Sequence, residues 1–220
     1  MQSNRKVEDS VEQAKQSRAS MTRTDQMRIL FKGILDPIAA FFNWLGLMPN
    51  TMTLLGLIGN TIGAILLGMG HMTWGGLVIL MMGPVDALDG TMARLRGMAG
   101  QFGAFVDSVT DRYSELVIFG GLLYYYSQQQ NEIGVLLVYA SAAGSVLVSY
   151  IRARGQSLGW DTKVGLLTRM ERYLVLAPAL ILNVPMVALW ITAIFANLTA
   201  LQRIYDVRRQ ALQTKSGEPK

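Results

Sequence analysis

Apolar residues in this chain come in near-continuous runs rather than in the stripes three and four apart that mark a water-soluble helix. The runs cover Thr53 to Met69, Trp74 to Val85, Leu116 to Tyr126, Ile133 to Ile151, Tyr173 to Leu182 and Val184 to Leu201. They approach the roughly 20 residues a helix needs to cross a hydrocarbon core. The pattern predicts an all-α integral membrane protein with six transmembrane helices.

Upstream, Thr24 to Leu47 mixes Arg28, Lys32 and Asp36 with Ile29, Leu30, Phe31, Ile34, Leu35, Phe41, Phe42 and Trp44. That mixture suits an N-terminal amphipathic segment lying in the interface, and Pro37 and Pro49 are expected to break it. The organisation read from the chain is a polar, flexible tail over 1–22, a juxtamembrane amphipathic segment over 23–48, a six-helix domain over 49–209 and a polar tail over 210–220. The first forty residues have no early apolar core, so no cleaved signal is expected. Gly59 and Gly63 form a small-xxx-small pair, read as intramolecular helix packing rather than a dimer seam.

Of 220 residues, 51% are hydrophobic and none is cysteine, which excludes disulfides, thiolate nucleophiles and thiolate metal sites. His71, the single histidine, falls in a short turn and is given no role. Lys and Arg cluster before the first span and around the second, fourth and C-terminal connections. None occurs in the turns around His71, Gln128 to Glu132 or Asn183 to Pro185. The positive-inside rule then predicts a multi-pass cell-membrane protein with both termini and the chemical face in the cytoplasm. The net charge of +5 follows from that topology and favours anionic lipid headgroups; no nucleic-acid partner is needed to explain it.

Chemistry concentrates between Asp86 and Asp111. Asp86, Asp89, Gly90 and Ala93 lie three or four apart and share one helix face, and Gly103, Asp107 and Asp111 do so on the next helix. An aspartate at the centre of a membrane helix costs about 2.5–3.5 kcal/mol, less near an end. Four on adjoining helices therefore call for compensation. Hard divalent cations supply it through carboxylate oxygens and can bridge phosphates, and glycine beside such ligands lets a pyrophosphate approach the backbone. The bland alternative is solvated helix ends paired with Arg94, Arg96 and Arg112.

These residues read D-x-x-D-G-x-x-A-R, eight residues, then G-x-x-x-D-x-x-x-D. The pattern resembles the motif of the CDP-alcohol phosphatidyltransferase family, with Asp86, Asp89, Gly90, Ala93, Arg94, Gly103, Asp107 and Asp111 at its positions. The resemblance implies a homodimeric helical membrane enzyme that takes a CDP-linked donor, usually CDP-diacylglycerol, and releases CMP. It implies one or two Mg²⁺ or Mn²⁺ ions on Asp86, Asp89 and Asp107, with Asp111 as ligand or base. Arg94 would bind donor phosphate, and Gly90, Ala93 and Gly103 would make room for the nucleotide. Pro49, Asn50 and Thr53 resemble a segment of the family that touches the nucleotide; a plain helix start reads equally well.

A second cluster comprises Arg152, Arg154, Arg169, Arg172 and Arg203. Topology alone can place arginines at cytoplasmic helix ends, while several guanidiniums around one cavity suit a phosphorylated acceptor. Ser149 to Arg154, Leu167 to Arg172, Gln202-Arg203 and the DRYSE run from Asp111 to Glu115 resemble the branch of the family that makes phosphatidylinositol phosphate in prokaryotes. Arg152 stands where lysine is usual there, Gly155-Gln156 where Ala-Glu is common and Met170 where proline is usual. The resemblance implies inositol 1-phosphate as acceptor. Glycerol 3-phosphate, an archaeol-type donor and CDP-inositol remain open, as does a non-enzymatic transporter or scaffold.

Overall fold

The computed structural model describes residues 23–98 and 100–215. The tail expected over 1–22, and residues 216–220 of the C-terminal tail, lie outside the described residues. Helix α1 spans Arg23–Trp44, α2 Pro49–Gly68, α3 Met72–Leu95, α4 Gln101–Gln128, α5 Glu132–Ser157, α6 Arg169–Ile181 and α7 Pro185–Lys215. All described secondary structure is helical, as the apolar runs predict.

Local chemistry sets several boundaries. Pro49 opens α2, where its missing N–H and fixed φ are tolerated. Asn131 caps α5 by accepting from the Gly134 N–H at 2.9 Å. The Glu171 carboxylate accepts from the Thr168 N–H at 2.6 Å at the start of α6. Pro37 does not end α1, which runs through it; a single proline removes one ladder bond, and packing on α3 carries the helix past it. The C-terminal helix continues to Lys215 rather than stopping near 209.

Among the described residues, four helices are long and apolar enough to cross a membrane: Pro49–Gly68, Met72–Leu95, Glu132–Ser157 and Pro185–Thr214. The other two expected spans differ for identifiable reasons. Helix α4 has 28 residues but carries Asp107, Asp111, Arg112 and Glu115 between its start and its midpoint turn. Helix α6 has 13, about 20 Å at 1.5 Å per residue, against a core of about 30 Å.

Helices α2 and α3 pack through small residues. A Cβ on Gly59 would overlap the Met82 side chain, and one on Gly63 would lie 2.7 Å from Ile79. The Gly59/Gly63 pair thus serves intramolecular packing. Gly121 of α4 meets the backbone of Ala64 so closely that no Cβ would fit. Away from these seams Leu54, Leu55, Ile58, Ile62 and Ile65 of α2 are exposed, an outer surface suited to lipid. The main core gathers Leu67, Ile79, Leu122, Val138, Leu180 and Leu189 from six helices. A smaller cluster of Ala39, Met52, Leu88 and Met92 fastens α1 to the far end of α3, where Arg96 donates to the Asn43 carbonyl at 2.9 Å.

Candidate active site

The end of α3 and the beginning of α4 bring the four aspartates together. Asp86 and Asp89 follow Pro84, which has no N–H to give to the ladder. The Gly83 N–H donates to the Tyr173 hydroxyl at 2.9 Å, and that hydroxyl donates to the Ile79 carbonyl. Tyr173 thus bridges a donor and an acceptor of the turn beside Pro84, whose own N–H is missing from the ladder. Gly83 admits the ring, since a Cβ there would come within 2.8 Å of it.

Asp89 is the most enclosed of the set, 7% exposed. Thr53 donates to its Oδ2 at 2.6 Å, and the Gly90 N–H donates to Oδ1. A buried carboxylate is expected to be satisfied in this way. Asp86 Oδ1 lies against Gly56, where any Cβ would overlap it. From α4, Asp111 receives Arg112 on Oδ2 at 3.3 Å. Asp107 is half-buried and near enough for its charge to act on Asp86, Asp89 and Asp111.

One residue of α6 joins the two helices. Arg169 Nη2 lies 2.9 Å from Asp86 Oδ2 and 2.7 Å from Asp111 Oδ1. The donor set is oxygen-only and anionic, which suits a hard divalent ion. As the side chains stand, however, the described residues contain no group of three Asp, Glu or His gathered tightly enough to hold one. Asp86 and Asp111 close instead around the Arg169 guanidinium.

The remaining arginines separate. Arg172, 3% exposed, donates through Nε to Glu115 at 2.8 Å and through Nη1 to the Leu167 carbonyl at 3.3 Å. Arg203, 4% exposed, donates to the Val164 carbonyl at 3.0 Å and the Val148 carbonyl at 2.7 Å. Arg152 lies within electrostatic reach of Arg203 and of Asp161. Arg152 and Arg154 are both exposed, and Arg154 reaches Ser157 at 3.4 Å. Five arginines thus border one end of the bundle, but the guanidiniums of Arg172 and Arg203 are committed to protein partners.

Among the residues read as nucleotide contacts, Asn50 and Arg94 are exposed and Ala93 is half-buried. Arg94 donates to Thr91 at 2.9 Å. Nothing lies within 4 Å of a Cβ built on Gly103, and only Arg94 lies so near one built on Gly90, so the chain's own packing does not demand glycine at either place. Glu115, Tyr173 and Gly56 were not identified as site residues from the sequence. Glu115 could have been, because it stands four residues after Asp111 on the same face. Tyr173 likewise stands four after Arg169.

The family model described as CDP-alcohol phosphatidyltransferase matches residues 46–201. The chain is 36% identical over 207 residues to the phosphatidylinositol phosphate synthase of Streptomyces avermitilis, covering 86% of this chain and 84% of that one. Two crystal structures of the Mycobacterium tuberculosis phosphatidylinositol phosphate synthase superpose with TM-scores of 0.74 at 30% identity. One, with CDP-diacylglycerol bound, aligns over 79% of this chain and 93% of that one. The other, in complex with manganese and citrate, aligns over 79% and 88%.

Proposed function

Because the chain belongs to the CDP-alcohol phosphatidyltransferase family, we propose that it moves a phosphatidyl group from CDP-diacylglycerol to inositol 1-phosphate, giving phosphatidylinositol phosphate and CMP. The observation that carries this reading is the convergence of Asp86, Asp89, Asp107 and Asp111 at adjoining helix ends, bordered by arginines. In the mechanism, Asp86, Asp89 and Asp107 are the metal ligands and Asp111 is ligand or base. A divalent Mg²⁺ or Mn²⁺, one or two ions when bound, supplies charge neutralisation for the pyrophosphate and for the departing CMP.

The chain's residues do the rest. Thr53 orients the Asp89 carboxylate, and Gly56 leaves room for that of Asp86. Asp111 accepts the proton of the acceptor hydroxyl as that oxygen attacks the phosphatidyl phosphorus; the bond from this phosphorus to the CMP oxygen breaks and CMP departs. Asp111 has both oxygens engaged by guanidiniums, so it gives up one contact to take the proton. Gly90, Ala93 and Gly103 admit the nucleotide, with Arg94, Asn50 and Thr53 beside it. The acceptor phosphate is recognised by the basic set Arg152, Arg154, Arg169, Arg172 and Arg203. Here Arg152 and Arg154 offer accessible donors, Arg169 is engaged by Asp86 and Asp111, and Arg172 and Arg203 add positive potential and hold the wall.

In the same reading α4 and α6 complete six spans, α1 lies at the interface, both termini and the site face the cytoplasm, and the enzyme is a homodimer in the cell membrane. Purified protein in vesicles, supplied with CDP-diacylglycerol and metal and offered inositol 1-phosphate, inositol, glycerol 3-phosphate or serine, tests the acceptor. Inositol 1-phosphate is expected to support the fastest CMP release. A preference for unphosphorylated inositol or serine would overturn the reading, and a preference for glycerol 3-phosphate would overturn the inositol assignment.

A further inference from the structure

From Arg169 we infer that its guanidinium is a displaceable internal cation that holds Asp86 and Asp111 in register, and that a divalent metal must expel it to bind them. The inference rests on the metal-dependent reading above. A single nitrogen, Nη2, bridges an oxygen of Asp86 on α3 and one of Asp111 on α4. The alternative oxygens are restricted: Asp86 Oδ1 is pressed against Gly56, and Asp111 Oδ2 is paired with Arg112. The oxygens Arg169 holds are therefore those through which a cation would most readily engage both residues. Metal–oxygen distances near 2.1 Å leave no room for a guanidinium nitrogen between the same two atoms.

Neighbouring arginines show what a permanent pair looks like here. Arg172 is 3% exposed and fixed by Glu115 and a backbone carbonyl, so it has nowhere to go. The Arg169 side chain is 40% exposed and begins α6 directly after the 158–168 connection, which leaves it a path outward. Two like carboxylates facing each other repel unless a cation lies between them. Arg169 supplies that cation before metal arrives, and afterwards its positive charge is released beside the basic set that faces the acceptor. Arg169 is thus a positioning residue, and it couples metal occupancy to anion binding.

Manganese titrations of the full chain in detergent, following the electron paramagnetic resonance signal of free Mn²⁺, test this directly. Arg169→Gln is expected to bind Mn²⁺ about tenfold more tightly than wild type, because a competing charge is gone. In chelator its thermal midpoint falls below wild type, and saturating Mn²⁺ removes the deficit. Arg169→Lys, which keeps the charge on a more strongly hydrated ammonium, falls between the two and serves if the glutamine variant does not fold. Lys163→Gln removes an exposed charge of the 158–168 connection that pairs with Asp161 rather than with the site carboxylates, and is expected to change the affinity less than threefold. Equal or weaker Mn²⁺ binding by both Arg169 variants, or equal tightening by Lys163→Gln, overturns the inference while leaving the metal-dependent reading in place. No Mn²⁺ binding by wild type overturns both.

Discussion

Gly56→Ala adds a single methyl group at the point where α2 meets the Asp86 carboxylate. The built Cβ overlaps Asp86 Oδ1 and lies 3.6 Å from its Cγ. Ordinary contact requires about 3.4–4 Å, so the carboxylate must retreat by on the order of 1 Å or rotate toward Arg169. A misplacement of that size in a reacting constellation lowers rate about 100-fold, which is about 2.7 kcal/mol in the barrier. Stability should hardly change: alanine gains about 0.5–1 kcal/mol over glycine within a helix, offsetting part of the local crowding. The assay is CMP release from CDP-diacylglycerol, paired with thermal unfolding of the same preparation. A loss of kcat/KM near 100-fold with a midpoint within a few degrees of wild type is expected. A folded Gly56→Ala enzyme within twofold of wild-type kcat/KM would refute the claim that this glycine sets the position of Asp86.

Thr53→Val removes the donor to a buried carboxylate and should destabilise the chain by about 1–3 kcal/mol, seen as a lower thermal midpoint, with weakened Mn²⁺ affinity because Asp89 loses its orientation. Arg172→Met leaves Glu115 with the Ser145 hydroxyl but without its cation and is expected to cost about 3–5 kcal/mol, whereas Arg172→Met combined with Glu115→Leu recovers most of it; a double-mutant cycle on unfolding checks the coupling. Tyr173→Phe leaves the Gly83 N–H and Ile79 carbonyl without their bridge, and a fall in kcat larger than the shift in unfolding midpoint explains is the expected sign that this bridge positions Asp86. Gly103→Ala, where nothing in the chain crowds the new methyl, should raise the KM for the CDP-linked donor without lowering the unfolding midpoint.

The carboxylate cluster was legible in the sequence because its information is local. Asp86 with Asp89, and Asp107 with Asp111, obey helical spacing, and a short turn joins their helices. The apolar runs placed every helix from α2 to α7, since hydrophobic length is also a local property. The arginines were not legible in the same way. Arg172 finds Glu115 across 57 residues, and Arg203 reaches carbonyls 39 and 55 residues away. Such choices depend on how α4, α5 and α7 settle, and nothing in the spacing of the arginines themselves records it. The pairing of Gly56 with Asp86 similarly needs the register of α2 on α3. The short α6 illustrates a third limit: the 158–168 connection is pinned by Thr199, whose hydroxyl accepts from the N–H groups of Leu166 and Leu167 at 3.1 Å, and the helix begins only after it.

The central claim is that the aspartates perform metal-dependent phosphatidyl transfer, with Asp111 activating the acceptor. Its most direct test is the rate of CMP release from CDP-diacylglycerol and inositol 1-phosphate by wild type and by Asp111→Asn, each with Mg²⁺ and with excess chelator. The account predicts release matched one-for-one by phosphatidylinositol phosphate in wild type with metal, background rates in chelator, and a loss of at least about 100-fold in the asparagine variant. Undiminished turnover by Asp111→Asn, or by wild type in chelator, would contradict it.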